Sequence, residues 1–147
     1  MIAVDTNLLV YSHREDNEFH QQANEVVDSL RGSPASWAIP WPCVHEFLAV
    51  VTHPNIYDPP TPMETALSAV EAWALQGNLQ LLSESEHYFD KLKPVIMAAR
   101  IRGPRVHDAR IAALCLHHGV RELWTVDRDF SLFPQLTTRN PLVRGSN

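Results

Sequence analysis

Residues 1–10 read MIAVDTNLLV, an apolar run with the look of a buried strand that carries an aspartate at its fifth position. A carboxylate inside a sheet costs several kcal/mol unless it is paired or meets a cation. Either Asp5 stands outside the interior, at the point where the strand IAV ends, or something positive faces it. The pattern recurs late in the chain, where residues 122–126, ELWTV, run straight into Asp127, Arg128 and Asp129. Two apolar strands thus each deliver a carboxylate at their exit.

The segments between them read as helices and short strands in alternation. Residues 21–31 place Ala23, Val26, Val27 and Leu30 at helical spacing, with Gly32 as a stop. SWAIP (36–40) is a short apolar strand, and Pro42 opens a helix in which Val44, Phe47, Leu48 and Val51 recur at i, i+3, i+4 and i+7. The proline-rich stretch HPNIYDPPTP (53–62) is a loop. Thr61, Pro62 and Glu64 form a capping-box pattern for a helix running to Gly77, and LQLL (79–82) is a strand. Ser83 and Glu86 form a second such pattern, opening a long helix toward Arg102 that Pro94 should kink or divide. A last helix spans about Val106 to His118 and stops at Gly119. Strands alternating with helices of this length predict an α/β fold: a parallel sheet of about four to five strands flanked by helices on both faces. In such a sheet ligands sit at the carboxyl ends of the strands, where Asp5 and Asp127 fall.

Size and composition agree with one ordinary domain. The chain has 147 residues, 45% of them hydrophobic, and neither a repeat nor a low-complexity segment divides it. Its two cysteines, Cys43 and Cys115, lie far apart in predicted helices and outside any C-x-x-C pair, which suits a reducing interior. With no apolar run of about 18 residues and no charged leader before an apolar core, the expectation is a soluble, cytoplasmic protein without membrane association. The net charge of −5 argues against a protein that grips nucleic acid with its whole surface. Yet Lys91, Lys93, Arg100, Arg102, Arg105 and Arg110 supply half of the 12 basic residues within a single stretch. Such a run reads equally as a solvated helix face.

Two more acids stand out: Glu46 near the start of an apolar helix, and Asp108 at the opening of another. Singly, each of the four has a plain structural explanation. Asp5 can cap the turn made by Thr6 and Asn7, Glu46 and Asp108 can complement helix dipoles, and Asp127 with Asp129 can be turn residues. Jointly, the fold gathers all four at one sheet edge. Four carboxylates in one pocket raise each other's pKa unless a cation neutralises them. All-oxygen ligation selects a hard divalent ion, Mg²⁺ or Mn²⁺, whose natural chemistry there is phosphodiester hydrolysis by activated water.

Four segments, VDTNLLVY, HEFL, VHDARIAAL and LWTVDRDF, resemble the PIN-domain family, in particular the VapC-type ribonuclease toxins of bacterial toxin-antitoxin pairs. The likeness touches both ends and the middle, so it implies a single PIN-like nuclease domain over residues 1–147. It implies Asp5, Glu46, Asp108 and Asp127 as a metal-holding acidic quartet, with Asp5 and Asp108 as direct ligands and Asp129 as an auxiliary acid. Thr6, Asn7 and Thr125 match positions that orient the carboxylates and the attacking water. The resemblance further implies endonucleolytic cleavage of RNA, a homodimer, and a VapB-type antitoxin that inserts a segment into the acidic groove. In that setting Arg100, Arg102, Arg105 and Arg110 become candidate RNA contacts.

Other readings are weaker. A phosphatase using Asp5 as nucleophile would need a second aspartate two residues on, where Asn7 stands. A non-catalytic RNA-binding module would be favoured by the loss of a quartet acid, and all four are present. His117 and His118 point about 100° apart on a helix, a poor chelate for zinc. His45 and His107, each beside an acid, are placed to contact substrate. The four tryptophans suit the core, with Trp41, beside two prolines, the candidate for exposure.

Overall fold

The computed structural model describes residues 1–143. A single sheet holds five parallel strands, β1 (Ile2–Val4), β2 (Trp37–Pro40), β3 (Leu79–Leu82), β4 (Glu122–Trp124) and β5 (Thr138–Arg139), in the order β3-β2-β1-β4-β5. In register, Ile2 lies between Trp37 and Glu122, and Leu123 faces Thr138. Helices α1 (Thr6–His13) and α2 (His20–Gly32) link β1 to β2; α3 (Trp41–Val51) and α4 (Met63–Trp73) link β2 to β3; α5 (Tyr88–Ala99) and α6 (Val106–His117) link β3 to β4.

The first two crossovers step one way across the sheet and the third steps back over two strands, β2 and β1, to reach β4. Because such connections are right-handed, α1 to α4 cover one face and α5 with α6 the other. The packing agrees: α1 lies against α2 and α3, α3 against α4, and α5 against α6. The winding reverses between β1 and β4, which makes their carboxyl ends the topological switch point of the sheet.

Burial follows from this layering. Val4, Leu8, Leu9, Ile39, Phe47, Leu114 and Leu123 are fully buried, as are Cys43 and Cys115, both free thiols. Each large apolar side chain removed from water contributes roughly 1.5–3 kcal/mol against the entropy of ordering the chain.

Several sequence expectations need correction. The run TNLLV after Asp5 is not extended: it is helix α1, whose Leu8, Leu9 and Val10 are all buried. A helix covered on most sides shows no apolar stripe, so its period is invisible. Neither capping box forms. Helix α4 starts at Met63 after Pro62 with no side-chain cap and ends at Trp73, while Thr61 instead meets His13 Nε2 and the Arg14 guanidinium at 3.2 and 3.1 Å. Those bonds, with Arg14 stacked 4.3 Å over the Tyr57 ring, tie the proline-rich loop to the end of α1. Helix α5 starts at Tyr88, not near Ser83, and ends at Arg100 in a left-handed conformation, short of Arg102. Pro94 lies inside it without dividing it. Gly32 is the last residue of α2, whereas Gly119, at φ 68°, does provide the left-handed stop after α6. Strand β5, only two residues long, had no sequence signal.

Candidate active site

The switch point is organised around Asp5, the N-cap of α1. Its carboxylate is 5% exposed, and both oxygens are engaged. Oδ1 accepts the Thr6 N–H at 2.8 Å and the Cys43 thiol at 3.6 Å; Oδ2 accepts the Thr125 hydroxyl at 2.7 Å. Burial raises the pKa of Asp5 to about 6, against the opposing pull of these three donors and with a further push from the Glu46 charge. The reading of Asp5 as a cap of the turn after β1 is met: it caps the first turn of α1.

The network spreads in two directions. The Thr6 hydroxyl donates to Glu46 Oε2 at 3.1 Å, and Glu46 itself is exposed on α3. On the other side the Thr125 oxygen accepts the Asp127 N–H at 3.0 Å, and Asp127 Oδ1 accepts the Asp129 N–H at 2.8 Å, closing the turn that starts a short 3-10 helix, Arg128–Leu132. Thr6 and Thr125, both buried, therefore join Asp5, Glu46 and the backbone of Asp127 into one hydrogen-bonded chain. Asn7 follows in the first turn of α1, partly buried.

Asp108 enters from α6 on the opposite face of the sheet. Each of Asp108, Asp127 and Asp129 offers a carboxylate oxygen within 4.8 Å of the others, the one group of three or more acids, cysteines or histidines among the described residues that is close enough to share an ion. The donor set is oxygen only, which fits a hard divalent cation. Asp108 is held above the ordinary carboxylate range, first by desolvation, then by Asp127 and Asp129, with Glu46 adding to the rise and Arg105 opposing it. Asp5 and Glu46 stand outside this tight group, and Asp129, expected only as an auxiliary acid, stands within it. The signal for Asp129 was there in the D-x-D spacing after β4.

Two grooves meet at Asp108. One, of about 760 Å³, is lined by Arg100, Arg102 and Arg105 together with Asp108, Asp129 and Ser131. Arg105 Nη1 lies 3.3 Å from Asp129 Oδ2, so the basic stretch does border the acids. Arg110 does not join the other three. It lines the second groove, with His45, Glu46, His107 and Asp108, and is bound to Glu84 at 2.6 Å. His117 and His118 are engaged elsewhere, with Ser85 Oγ and the Ser83 carbonyl.

No pattern in the chain hints at the Cys43 thiol against Asp5. Cys43 lies one turn before Glu46 and Phe47 on α3, and burial together with the Asp5 charge pushes its pKa well up, so it stays a thiol and a donor.

Residues 2–135 match the PIN domain model. The chain belongs to the PIN-domain family. Ribonuclease VapC48 of Mycobacterium tuberculosis is 29% identical to it over 137 residues, spanning 93% of this chain and 94% of that one. Two solved PIN-domain structures share its fold. The VapBC2 complex of Rickettsia felis, bound to a promoter DNA fragment, matches with a TM-score of 0.65 at 17% identity, over 94% of this chain and 97% of that one. VapC20 of Mycobacterium tuberculosis, a toxin that cleaves the sarcin-ricin loop, matches with a TM-score of 0.65 at 16% identity, over 89% and 93%. In this PIN domain the acids gather at the switch point between β1 and β4, and no helix among the described residues is long and apolar enough to cross a membrane.

Proposed function

We propose that this protein is a metal-dependent endoribonuclease, the toxin of a VapBC-type pair. The observation that carries the reading is the convergence of Asp108, Asp127 and Asp129, bordered by Asp5 and Glu46, at the switch point of a PIN domain similar to VapC48 over nearly its whole length.

Asp108, Asp127 and Asp129 would hold Mg²⁺ or Mn²⁺, with Asp5 contributing from the buried floor through Oδ2, which meets a single donor and keeps a lone pair. Such an ion supplies Lewis acidity that activates a water and offsets the charge growing at phosphorus. The protein's own groups do the rest. Thr6 and Thr125 fix the two carboxylates that they bond, so the site needs little reorganisation. Glu46, exposed and oriented by Thr6, is placed to accept a proton from the attacking water. Arg100, Arg102 and Arg105 draw the phosphate backbone to the acids. Asp5 does not suit the role of phosphatase nucleophile, because Asn7 stands where such an enzyme carries its second aspartate.

The partners follow from the same reading: an RNA substrate, a VapB-type antitoxin segment that covers the acidic groove, and a second copy of the chain in a cytoplasmic homodimer. The test is cleavage of total bacterial RNA by the antitoxin-free protein with Mg²⁺, with Mn²⁺ and with EDTA, beside Asp108→Asn. Discrete products that require both the metal and Asp108 are expected. Folded wild-type protein that cuts nothing with either ion would overturn the nuclease reading.

A further inference from the structure

The second groove, of about 430 Å³, lies between α3 and α6 on the far side of Asp108 from the arginines. Its charge differs from that of the first. Arg110 is tied to Glu84, and the groove also carries Glu46 and Asp108, so nothing there favours a phosphate. One of the residues that line it, His45, carries an aromatic neighbour from outside the lining. Trp41, at the start of α3, stacks on His45 with ring centroids 5.9 Å apart and planes 29° from parallel. The i, i+4 spacing of the pair on α3 puts both rings on one helix face.

Trp41 is also the tryptophan whose packing is least explained by the core. Trp37 and Trp73 are 1% and 5% exposed, whereas Trp41 is 36% exposed. Beside His45, which lines the groove, about a third of Trp41 stays open to solvent. It is a surface on which another flat ring can lie.

Resting on the nuclease reading above, we infer that the Trp41–His45 shelf is a nucleobase subsite that makes the enzyme select an unpaired nucleotide next to the scissile phosphate. The substrate strand crosses Asp108 with its backbone on Arg100, Arg102 and Arg105 and one base splayed into the second groove. His107 and Arg110 line that groove and supply the polar contacts to the base edge. Only a single-stranded or loop nucleotide can turn its base out this way at low cost. The subsite thus sets the place of the cut relative to one base.

Two measurements on the intact protein test this. First, binding of a labelled mixed-sequence single-stranded RNA is followed in EDTA, where no cutting occurs, for wild type, Trp41→Ala and Trp41→Phe. Trp41→Ala should weaken binding roughly 5- to 100-fold, the range for one base-aromatic stack, and Trp41→Phe should recover most of it. Second, an RNA that wild type cuts is scanned with single abasic sites under Mg²⁺. One position beside the cut should raise KM in wild type and have no further effect in Trp41→Ala.

If the three proteins bind alike, or if abasic penalties add to Trp41→Ala at every position, the subsite is overturned while cleavage, and with it the nuclease reading, stands. If RNA binds through Trp41 but is never cut, the nuclease reading falls and the base subsite remains. If Trp41→Ala spares RNA and loses only a co-purified antitoxin peptide, the shelf belongs to the partner and the inference fails. Because Trp41 is partly exposed, circular dichroism should show all variants folded; if Trp41→Ala is unfolded, Trp41→Leu takes its place in both measurements.

Discussion

The Thr125 hydroxyl donates to Asp5 Oδ2 at 2.7 Å and bridges the exits of the two central strands, β1 and β4. A hydroxyl has one proton, so the oxygen that gives it to Asp5 is left to accept, and it takes the Asp127 N–H at 3.0 Å. One threonine thereby fixes the buried acid and the start of the turn that carries Asp127 and Asp129. The spacing of these neighbouring parallel strands sets the separation of Asp5 from Thr125, and Asp127 and Asp129 follow in the turn after β4.

Thr125→Val keeps the shape and removes both bonds. A buried hydrogen bond to a charged group contributes about 1.5–3 kcal/mol, and the Asp127 N–H loses its acceptor as well. The variant should be destabilised by about 2 kcal/mol in urea titration and should lose at least about tenfold in cleavage rate through displaced carboxylates. Thr125→Ser should recover most of both. A fully active valine variant would show that the bridge does not position the site.

Asp5 makes the metal-free protein pH-sensitive in a direction that can be worked out. Its pKa is about 6 folded against 3.8 in the unfolded chain, so between those values the folded state binds more protons. Stability attributable to Asp5 is therefore full below pH about 4, falls as pH rises toward 6, and stays low above it. Asp5→Asn should remove that slope and stabilise the metal-free protein at pH 7 by an amount of order 1–3 kcal/mol, the loss of the Oδ2 acceptor for the Thr125 hydroxyl offsetting part of the gain. Cleavage should be abolished. Thermal melts of both proteins in EDTA from pH 4 to 8 give the comparison; parallel curves would mean that Asp5 does not titrate as its burial implies.

Added Mn²⁺ or Mg²⁺ should act in the opposite sense. The ion binds ionised carboxylates, and Asp5 and Asp108 are both held protonated to higher pH than usual when it is absent. The rise in Tm on adding the ion should therefore be small at pH 5 and larger above pH about 6. In Asp108→Asn, which removes one of three clustered carboxylate charges, the rise should shrink at every pH. Equal metal-induced shifts in wild type and Asp108→Asn would place the ion elsewhere.

Much of this was legible in the chain because strand exits are marked by abrupt changes of polarity. Val4 to Asp5 and Val126 to Asp127 are such changes, and the switch-point rule then brings the acids together without any knowledge of side-chain geometry. Helix α1 was not legible, since Leu8, Leu9 and Val10 are all buried and a run buried on every side has no period. The two capping boxes failed for a tertiary reason. Thr61 finds better partners in His13 and Arg14, and the chain after Ser83 is held by the His118 and His117 rings, so the helix starts later. The ranking of the acids was not legible either: Asp5 is drawn into the floor by Thr6, Cys43 and Thr125, while Asp129 reaches the cluster through a turn that Asp127 itself caps.

The arginines separate into three kinds, and substitution should resolve them. Arg100 and Arg102 line the basic groove with no carboxylate within ion-pair distance among the described residues, so each change to Gln should weaken RNA binding and lower the slope of log affinity against log salt by about 0.7. Metal affinity should hold. Arg105 is different, because its guanidinium lies 3.3 Å from Asp129 and lowers the pKa of Asp108. It competes with a cation for the same acids, so Arg105→Gln should weaken RNA binding while tightening Mn²⁺ binding. Arg110 is bound to Glu84 at 2.6 Å and faces the other groove, so Arg110→Gln should leave the salt slope nearly unchanged. Filter binding across a salt series and Mn²⁺ calorimetry together read out all four variants. An equal loss of slope in all of them would mean that RNA meets the arginines as one undivided patch and that the division into two grooves has no bearing on binding.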